Sequence, residues 1–444
     1  MKKEKNLIIH SYNNNKYIYD CNTNIILSVE EYQTQSLKKH VKPIGEKVMS
    51  IDDMFAKPRA LCLVLTDMCN FRCRYCANSA AYDYSKGYRN QTMSLETIDK
   101  ALDLYVSLYR NSIRNDPNVR FGVSFYGGEP LLEIEKIKYV VQRIEKDYRI
   151  ENPLYSITTN GFILSNEMIE LFYNYSFEVA VSIDGYPEIH DLNRRTISGK
   201  ETYKKVVTNF RKLKDKIQQK AGIITTFDTQ VSPQKLYKYY RDNPDIDERL
   251  WRVASVTPVN TTYYDIVTKY EKYEEELNDL YRRFYNGDHT MFLKKMFEDK
   301  FGIIVEKDTD RDYLYGICNP LNAKLTVSTD GVLHICEKIN ENYPIGTVDG
   351  IDKKTAFMYY KNLIELREAH CKECLIKNLC NPCYATLNGA GKRFEIDEDF
   401  CKKTKRSIIH TLALFCTFQD DAEWPTTHDR RVNDNALSLL GVKE

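Results

Sequence analysis

The chain has 444 residues, 42% of them hydrophobic and 29% charged, and a formal net charge of +1. With 64 basic against 63 acidic residues there is no electrostatic ground for a nucleic-acid or anionic-membrane partner. No apolar run approaches the ~18 residues of a membrane span, and the opening MKKEKNLIIHSYNNNK is too short in apolar residues for a signal peptide, so a cytoplasmic protein of roughly two to three domains is expected. There, the 13 cysteines should be thiols or metal ligands rather than disulfides.

In chain order, residues 1–58 read as an N-terminal extension, with a hairpin from LIIHSY, KYIYD and IILSV and a polar helix around VEEYQTQSLKKH. Over 59–260 short β-rich runs alternate with helical runs. The strand candidates are 61–66 (LCLVLT), 121–126 (FGVSFY), 155–160 (YSITTN), 178–183 (EVAVSI), 221–227 (AGIITTF) and 250–256 (LWRVASV). They are short, apolar and followed by turn signals, the pattern of buried parallel strands. Between them, a helix N-capped by Ser94 buries Ile98, Ala101, Leu102, Tyr105 and Leu108. A second carries Ile137, Val140, Val141 and Ile144 on one face, and a third Tyr203, Val206, Val207, Phe210 and Leu213. Six β–α units predict an α/β fold, a partial parallel (β/α)6 barrel with its chemistry at the C-terminal ends of the strands. Residues 261–312, charged and Tyr-rich, read as a connector with a surface helix in YEKYEEELNDLYRRFY. Residues 313–418 show Gly- and Asn-containing turns and little periodicity, which points to a small domain organised by metal rather than by a hydrophobic core. The polar stretch 419–444 reads as a poorly ordered tail, and no internal repeat is present.

The cysteines are unevenly spread. Cys69, Cys73 and Cys76 form a C-x3-C-x2-C knot directly after the first strand; Cys318, Cys336, Cys371, Cys374, Cys380, Cys383 and Cys401 form a second. Clustered cytosolic cysteines point to metal, whereas Cys21, Cys62 and Cys416 read as small buried hydrophobes. Three thiolates can hold three corners of a four-iron cube and leave the fourth iron open. An open zinc site also takes three protein ligands, but catalytic zinc recruits histidine, and none lies near this knot.

The C-x3-C-x2-C segment, with Tyr75 just before its last cysteine, resembles the radical S-adenosylmethionine (SAM) superfamily. The resemblance implies an open iron that chelates the amino and carboxylate groups of SAM, and a 5′-deoxyadenosyl radical that takes hydrogen from substrate. YGGEP (126–130) is similar to the family's GGE motif: Gly127 and Gly128 would let backbone approach the ligand, and Glu129 would receive the SAM amino group. TTNG (158–161) would bring Thr159 and Asn160 to the cofactor, and SIDG (182–185) would place Ser182 and Asp184 beside its ribose and methionine. HDLNRR (190–195) resembles the family's HDxxR stretch, which implies that Arg194 pairs with the SAM carboxylate. The likeness covers residues 61–228.

The second knot resembles the SPASM domain, a C-terminal extension with seven cysteines and two auxiliary four-iron clusters. By position, Cys371, Cys374, Cys380 and Cys401 would hold the outer cluster and Cys318, Cys336 and Cys383 the inner one. The family's C-x3-C is shortened here to CNPC, which changes the loop at Cys383. Some relatives carry a fourth inner cysteine six residues before the first; that offset falls on Asp312, a harder ligand than thiolate, so an open inner site is expected. Two zinc knuckles are the alternative for the CxxC spacing. The resemblance thus implies three [4Fe-4S] clusters, SAM, an electron donor such as flavodoxin or ferredoxin, and a precursor peptide as substrate. The function it implies is a maturase that abstracts hydrogen from a ribosomally made peptide to install a cross-link, a thioether. The alternatives are an anaerobic sulfatase-maturating, formylglycine-forming enzyme, a carbon–carbon cross-linking cyclase, and a non-catalytic binding or electron-transfer protein. KYIYDCNTNIILSVEEY resembles the start of maturases that bind a leader peptide by strand addition, although it is shorter than a full winged-helix leader-binding domain. The missing upstream cysteine leans away from sulfatase maturases. The sequence assigns no catalytic acid or base.

Overall fold

The computed structural model describes residues 6–34, 45–47, 50–55, 60–79, 81–82, 85, 87–257, 259–297, 310–312, 324–338, 343–380, 382–388 and 394–420, with positions 433, 436, 438, 440 and 442. At the N-terminus, β1 (Asn6–His10), β2 (Lys16–Asp20) and β3 (Ile25–Ser28) form an antiparallel meander in that order. Leu7 and Ile9 of β1 and Tyr17 and Tyr19 of β2 alternate with more exposed residues and are buried, the period of two that a half-covered sheet requires. The long helix Glu398–Gln419 packs against β1, with Tyr12 N donating to Thr417 Oγ1 at 2.8 Å. Helix α1 (Val29–Gln33) starts on a Ser28–Glu31 capping box; the rest of the expected polar helix lies outside the described residues. β4 (Gly45–Lys47) precedes α2 (Ile51–Phe55).

The six expected parallel strands are present as β5 (Leu61–Thr66), β6 (Gly122–Gly127), β7 (Leu154–Thr159), β8 (Glu178–Ser182), β9 (Ala221–Phe227) and β10 (Leu250–Ser255). Helices α3 (Leu95–Asn115), α4 (Ile134–Gln142), α5 (Asn166–Asn174), α6 (Pro187–Asn193), α7 (Tyr203–Ile217), α8 (Pro233–Asp242) and α9 (Pro244–Asp247) connect them. Ser94 caps α3 by accepting from Thr97 N at 3.0 Å, and Ile98, Ala101, Leu102 and Tyr105 are buried as their spacing predicts, with Leu108 only partly so.

The strands are not apolar on both faces. The parallel register sets Cys62, Ser124 and Ser156 abreast, and Ser182, Ile224 and Arg252 abreast, all on the inner face. Val123, Tyr155, Val179, Val181 and Ile223 alternate with them and are buried in the apolar core. A filled barrel stacks bulky branched residues inside; small hydroxyls there leave room. The expectation of uniformly apolar strands gives way to a period of two, and the reason is a cavity.

After β10 come α10 (Tyr273–Tyr285), β11 (Asp310–Asp312, parallel to β4), β12 (Leu325–Val327), β13 (Val332–His334), β14 (Pro344–Thr347) and β15 (Gly350–Ile351). The sheet order is β10-β9-β8-β7-β6-β5-β12-β13-β14-β15, so the cysteine-rich segment continues the main sheet. β5 is buried at every position, and its outer edge would leave unpaired backbone groups without β12 beside it. The segment also has an apolar centre: Tyr343 stacks on Phe394 at 4.8 Å between centroids, and Tyr384 meets the same ring at 5.1 Å. That corrects the expectation of organisation by metal rather than by a core. The expected surface helix α10 likewise buries Leu277, Leu280, Tyr281 and Phe284, and it packs on α8. Within 419–444, Asn433 is buried and exchanges two hydrogen bonds with the His10 backbone, at 2.8 and 3.0 Å, so at that point the stretch is tied down. Among the described residues no helix is long and apolar enough to cross a membrane.

Candidate functional site

A cavity of about 450 Å³ occupies the inside of the curled sheet. Cys69, Cys73 and Cys76 line it from the loop after β5, at the C-terminal ends of the parallel strands. Backbone bonds from Arg72 N to Arg195 O (2.8 Å) and from Arg74 N to Asn193 O (3.0 Å) dock that loop on the HDLNRR segment. Burial pushes the Cys69 and Cys73 thiols up to about 12, opposed at Cys69 by the Phe71 N–H and at Cys73 by the Arg194 guanidinium. Buried thiols of this kind become thiolates only when a cation, such as a metal, offsets the desolvation.

The Gly-Gly-Glu turn after β6 locks onto this loop. Gly128 N donates to Thr66 O at 2.8 Å and Glu129 N to Met68 O at 2.9 Å. Gly127 has φ +141°, and a Cβ there would lie 2.3 Å from Thr66 O; at Gly128 it would lie 2.1 Å from Met68 O. These glycines permit close approach of the turn to the chain's own cysteine loop, and both also line the cavity. Glu129 is fully buried: Oε1 accepts from Leu131 N (3.0 Å) and Thr159 Oγ1 (2.7 Å), and Oε2 from Asn160 N (2.7 Å). Burial raises its carboxyl, and these donors and Arg194 oppose the rise. Asn160 reaches the cysteine loop through Nδ2 to Asn70 Oδ1 at 2.8 Å.

Tyr75 forms one cluster with Asp184 and Arg194, which lie more than a hundred positions along the chain from it. Arg194 Nη1 donates to the Tyr75 hydroxyl at 2.5 Å, the hydroxyl donates to Asp184 Oδ2, and Arg194 stands 3.8 Å from Asp184 Oδ1. Asp184 also accepts from Thr226 N at 3.1 Å. Burial raises the Asp184 carboxyl while Arg194 and Tyr75 oppose it. Tyr75, Ser182 and Arg194 line the cavity; Asp184 does not, and it stands behind Arg194 as an orienting partner. His190 clamps both: Nδ1 accepts from Asp184 N (3.3 Å), and Nε2 bonds Thr202 Oγ1 (3.1 Å), which donates to Arg194 O (2.6 Å). That network assigns the proton to Nε2 of a neutral ring, in line with a pKa driven well below the usual histidine value by burial and by Arg194. Asp191 Oδ1 accepts from Thr202 N and Tyr203 N and so caps the start of α7.

These residues fit the amino-acid end of SAM. Arg194 Nε is buried with no hydrogen-bond partner among the described residues, and Glu129 Oε2 accepts one bond only. The wall therefore holds one unmet donor and one unmet acceptor, which a carboxylate and an ammonium would satisfy.

The cavity's other end was not visible in the sequence. Lys324, just before β12, bonds Glu337 Oε1 at 2.9 Å, and both line the cavity beside Cys336, Glu337 being only 8% exposed. Arg252 of β10 and Lys338 line it too. Glu337 directly follows Cys336 of the second cysteine knot, which is a usable signal; for Lys324 and Arg252 the sequence offers none. Cys383 neighbours Cys336, while Cys318 lies outside the described residues, as does the side chain of Asp312. Cys371, Cys374, Cys380 and Cys401 gather separately: burial pushes Cys380 up to about 12, and the other three add to the rise. Among the described residues no three His, Cys, Asp or Glu side chains converge as ligands of a single ion.

Residues 63–231 match the Radical SAM superfamily. The cysteine-type anaerobic sulfatase-maturating enzyme of Clostridium novyi (strain NT) is 26% identical over 332 residues, 70% of this chain and 83% of that protein. The radical SAM cyclopropyl synthase TigE of Paramaledivibacter caminithermalis is 22% identical over 405 residues, 85% of this chain and 80% of its own. The solved structure of native anSMEcpe with bound AdoMet and Cp18Cys peptide shares the fold at a TM-score of 0.60 and 20% identity, over 85% of this chain and 99% of that one. Match, fold and cysteine loop agree: the chain carries a radical SAM domain over residues 63–231 and is a radical SAM enzyme.

Proposed function

We propose that the enzyme modifies a ribosomally made precursor peptide, installing a thioether cross-link. The observation that carries the reading is one cavity with Cys69, Cys73 and Cys76 at one end and Lys324 and Glu337, the residue after Cys336, at the other. The two ends stand at opposite termini of β5, because Leu325 pairs with Leu61 while Cys69 follows Thr66; a six-residue strand spans roughly 15–20 Å. In this reading residues 313–418 are a SPASM domain joined by 261–312 to the core at 59–260, and 1–58 bind the leader. Cys371, Cys374, Cys380 and Cys401 hold an outer four-iron cluster, and Cys318, Cys336 and Cys383 an inner one with an open position for a substrate cysteine. A flavodoxin- or ferredoxin-type donor supplies electrons. When bound and reduced, the first cluster with SAM supplies a 5′-deoxyadenosyl radical that abstracts hydrogen.

The chain's own residues position these partners. Glu129 receives an ammonium and Arg194 a carboxylate; Tyr75 and Asp184 fix the guanidinium; the inner Ser182 and Thr226 leave space for a substrate residue. Anaerobic reconstitution should give about 12 iron per chain, and replacing Cys69, Cys73 and Cys76 with Ala should remove about a third. Incubated with SAM, dithionite and a cysteine-containing precursor, the enzyme should yield a product about 2 Da lighter with the linked thiol closed to alkylation. Stoichiometric zinc with little iron would overturn the reading.

A second reading, formylglycine formation, is favoured by the sulfatase-maturating relative; a product carrying an aldehyde would select it. A carbon–carbon link with every thiol free would keep the peptide-modifying class and remove the docking role of the inner cysteines.

A further inference from the structure

The charged groups on the cavity wall do not balance. Glu129 accepts three hydrogen bonds and, in the reading above, takes the SAM ammonium at Oε2; Glu337 is paired with Lys324, and Arg194 with Tyr75 and Asp184. Arg252 and Lys338 are exposed residues that line the cavity, and neither side chain has a hydrogen bond or ion pair among the described residues; the Lys338 N–H donates to Cys336 Sγ at 3.4 Å, and its ammonium faces Glu337. They reach it from opposite directions in the sheet. Arg252 belongs to β10, the last strand on one side, whereas Lys338 follows β13, beyond β5 and β12 on the other. The register of β10 shifts between Leu250 and Arg252, and a bulge of this kind re-aims the side chain that follows it. Here it sets Arg252 abreast of Ile224 and Ser182 on the inner face. The segment after β10 is tied to the loop after Cys383 by Asn260 Nδ2 to Leu387 O at 3.1 Å, and both cations line the same cavity.

An uncompensated pair of cations inside a partly enclosed cavity favours an anionic occupant. The carboxylate of the SAM amino-acid end is answered by Arg194 at the cluster end, which leaves these two for the substrate. We propose that Arg252 and Lys338 are specificity residues that select a peptide carrying Asp or Glu close to the residue being modified. This rests on the peptide-modifying reading above and names the charge of its substrate. The contacts are short-range and solvent-screened, so the preference weakens with salt.

The test uses the reconstituted full-length enzyme with SAM and three fluorescein-labelled peptides that differ only in the residues flanking one cysteine: glutamate, glutamine or lysine. By fluorescence anisotropy at low salt the glutamate peptide should bind about tenfold tighter than the glutamine peptide, and the lysine peptide weakest. In the R252Q/K338Q double variant the glutamate-to-glutamine ratio should collapse toward one. In R252E/K338E the order should reverse in favour of lysine, an outcome a misfolded variant cannot produce. Equal binding of the glutamate and glutamine peptides to the unmodified enzyme, or no binding of any peptide, overturns the inference. So does an intact preference in R252Q/K338Q, which would leave Lys338 to balance the neighbouring thiolates. Reductive cleavage of SAM by the enzyme without peptide is measured in parallel; its absence would count against the functional reading, independently of any peptide preference.

Discussion

Replacing Gly128 with Ala separates two reasons for the Gly-Gly-Glu turn. A Cβ at this position would lie 2.1 Å from Met68 O, 2.5 Å from Met68 C and 2.9 Å from Asp67 O, all backbone atoms. Side-chain repacking cannot relieve such contacts, so the turn and the cysteine loop must part by about an ångström. That movement breaks the bonds from Gly128 N to Thr66 O and from Glu129 N to Met68 O. At about 1 kcal/mol each, plus backbone strain, the intact arrangement loses roughly 2–3 kcal/mol. Because 1.4 kcal/mol is tenfold, the population of the correctly placed Cys69 loop falls on the order of 30- to 150-fold, and apparent cluster affinity with it. The assay is iron and sulfide content after anaerobic reconstitution and a chelator challenge. G128A should retain about eight of the roughly 12 iron, whereas G350A, with nothing within 4 Å of its added methyl, should retain them all. If the glycines instead cleared space for SAM, G128A would keep its iron and lose only SAM binding. That outcome would refute the steric argument.

Removing the Arg194 cation with R194M leaves Asp184 buried with only Tyr75 and the Thr226 N–H, and a buried charge stripped of its partner costs about 3–5 kcal/mol. R194M should therefore lower the denaturation midpoint sharply, and R194M/D184N should recover most of the loss; additive effects in that cycle would show that the two are not coupled. His190 is held below the ordinary histidine pKa in the folded chain, so its contribution to stability is present above about pH 6.5 and is lost as pH falls toward the folded value, at up to about 1.4 kcal/mol per pH unit. Thermal unfolding followed between about pH 7.5 and 5.5 should show a shallower decline in H190Q than in the unmodified chain. Parallel declines would assign the acid sensitivity elsewhere.

Much of the architecture was legible. The six parallel strands fall within a residue of their expected positions, because short runs of apolar and β-branched residues between capped helices leave little freedom in where a strand can lie. What the same runs hid was the inner face. Ser124, Ser156 and Ser182 lie one on each of β6, β7 and β8, and only the sheet brings them to one cavity wall. The covered face of α10 and the apolar centre of the C-terminal segment were not legible for a related reason. Tyr281 and Phe284 of α10 and the Tyr343–Phe394 stack are core only because distant elements come to cover them.

By itself, the sequence placed the motifs of the cysteine-loop end. C-x3-C-x2-C follows β5, GGE ends β6, and HDLNRR spans the end of α6 after β8, so the parallel arrangement delivers all three to one rim. The tertiary structure decided what each residue does there. Tyr75, Asp184 and Arg194 are bonded across more than a hundred positions of chain. The Gly-Gly turn answers to the backbone of another loop. Lys324, Glu337 and Arg252 meet only where the curled sheet brings β10 and β12 to a common cavity. Charge pairing and close approach depend on which atoms come to face one another, and that is set by strand register and closure rather than by spacing along the chain.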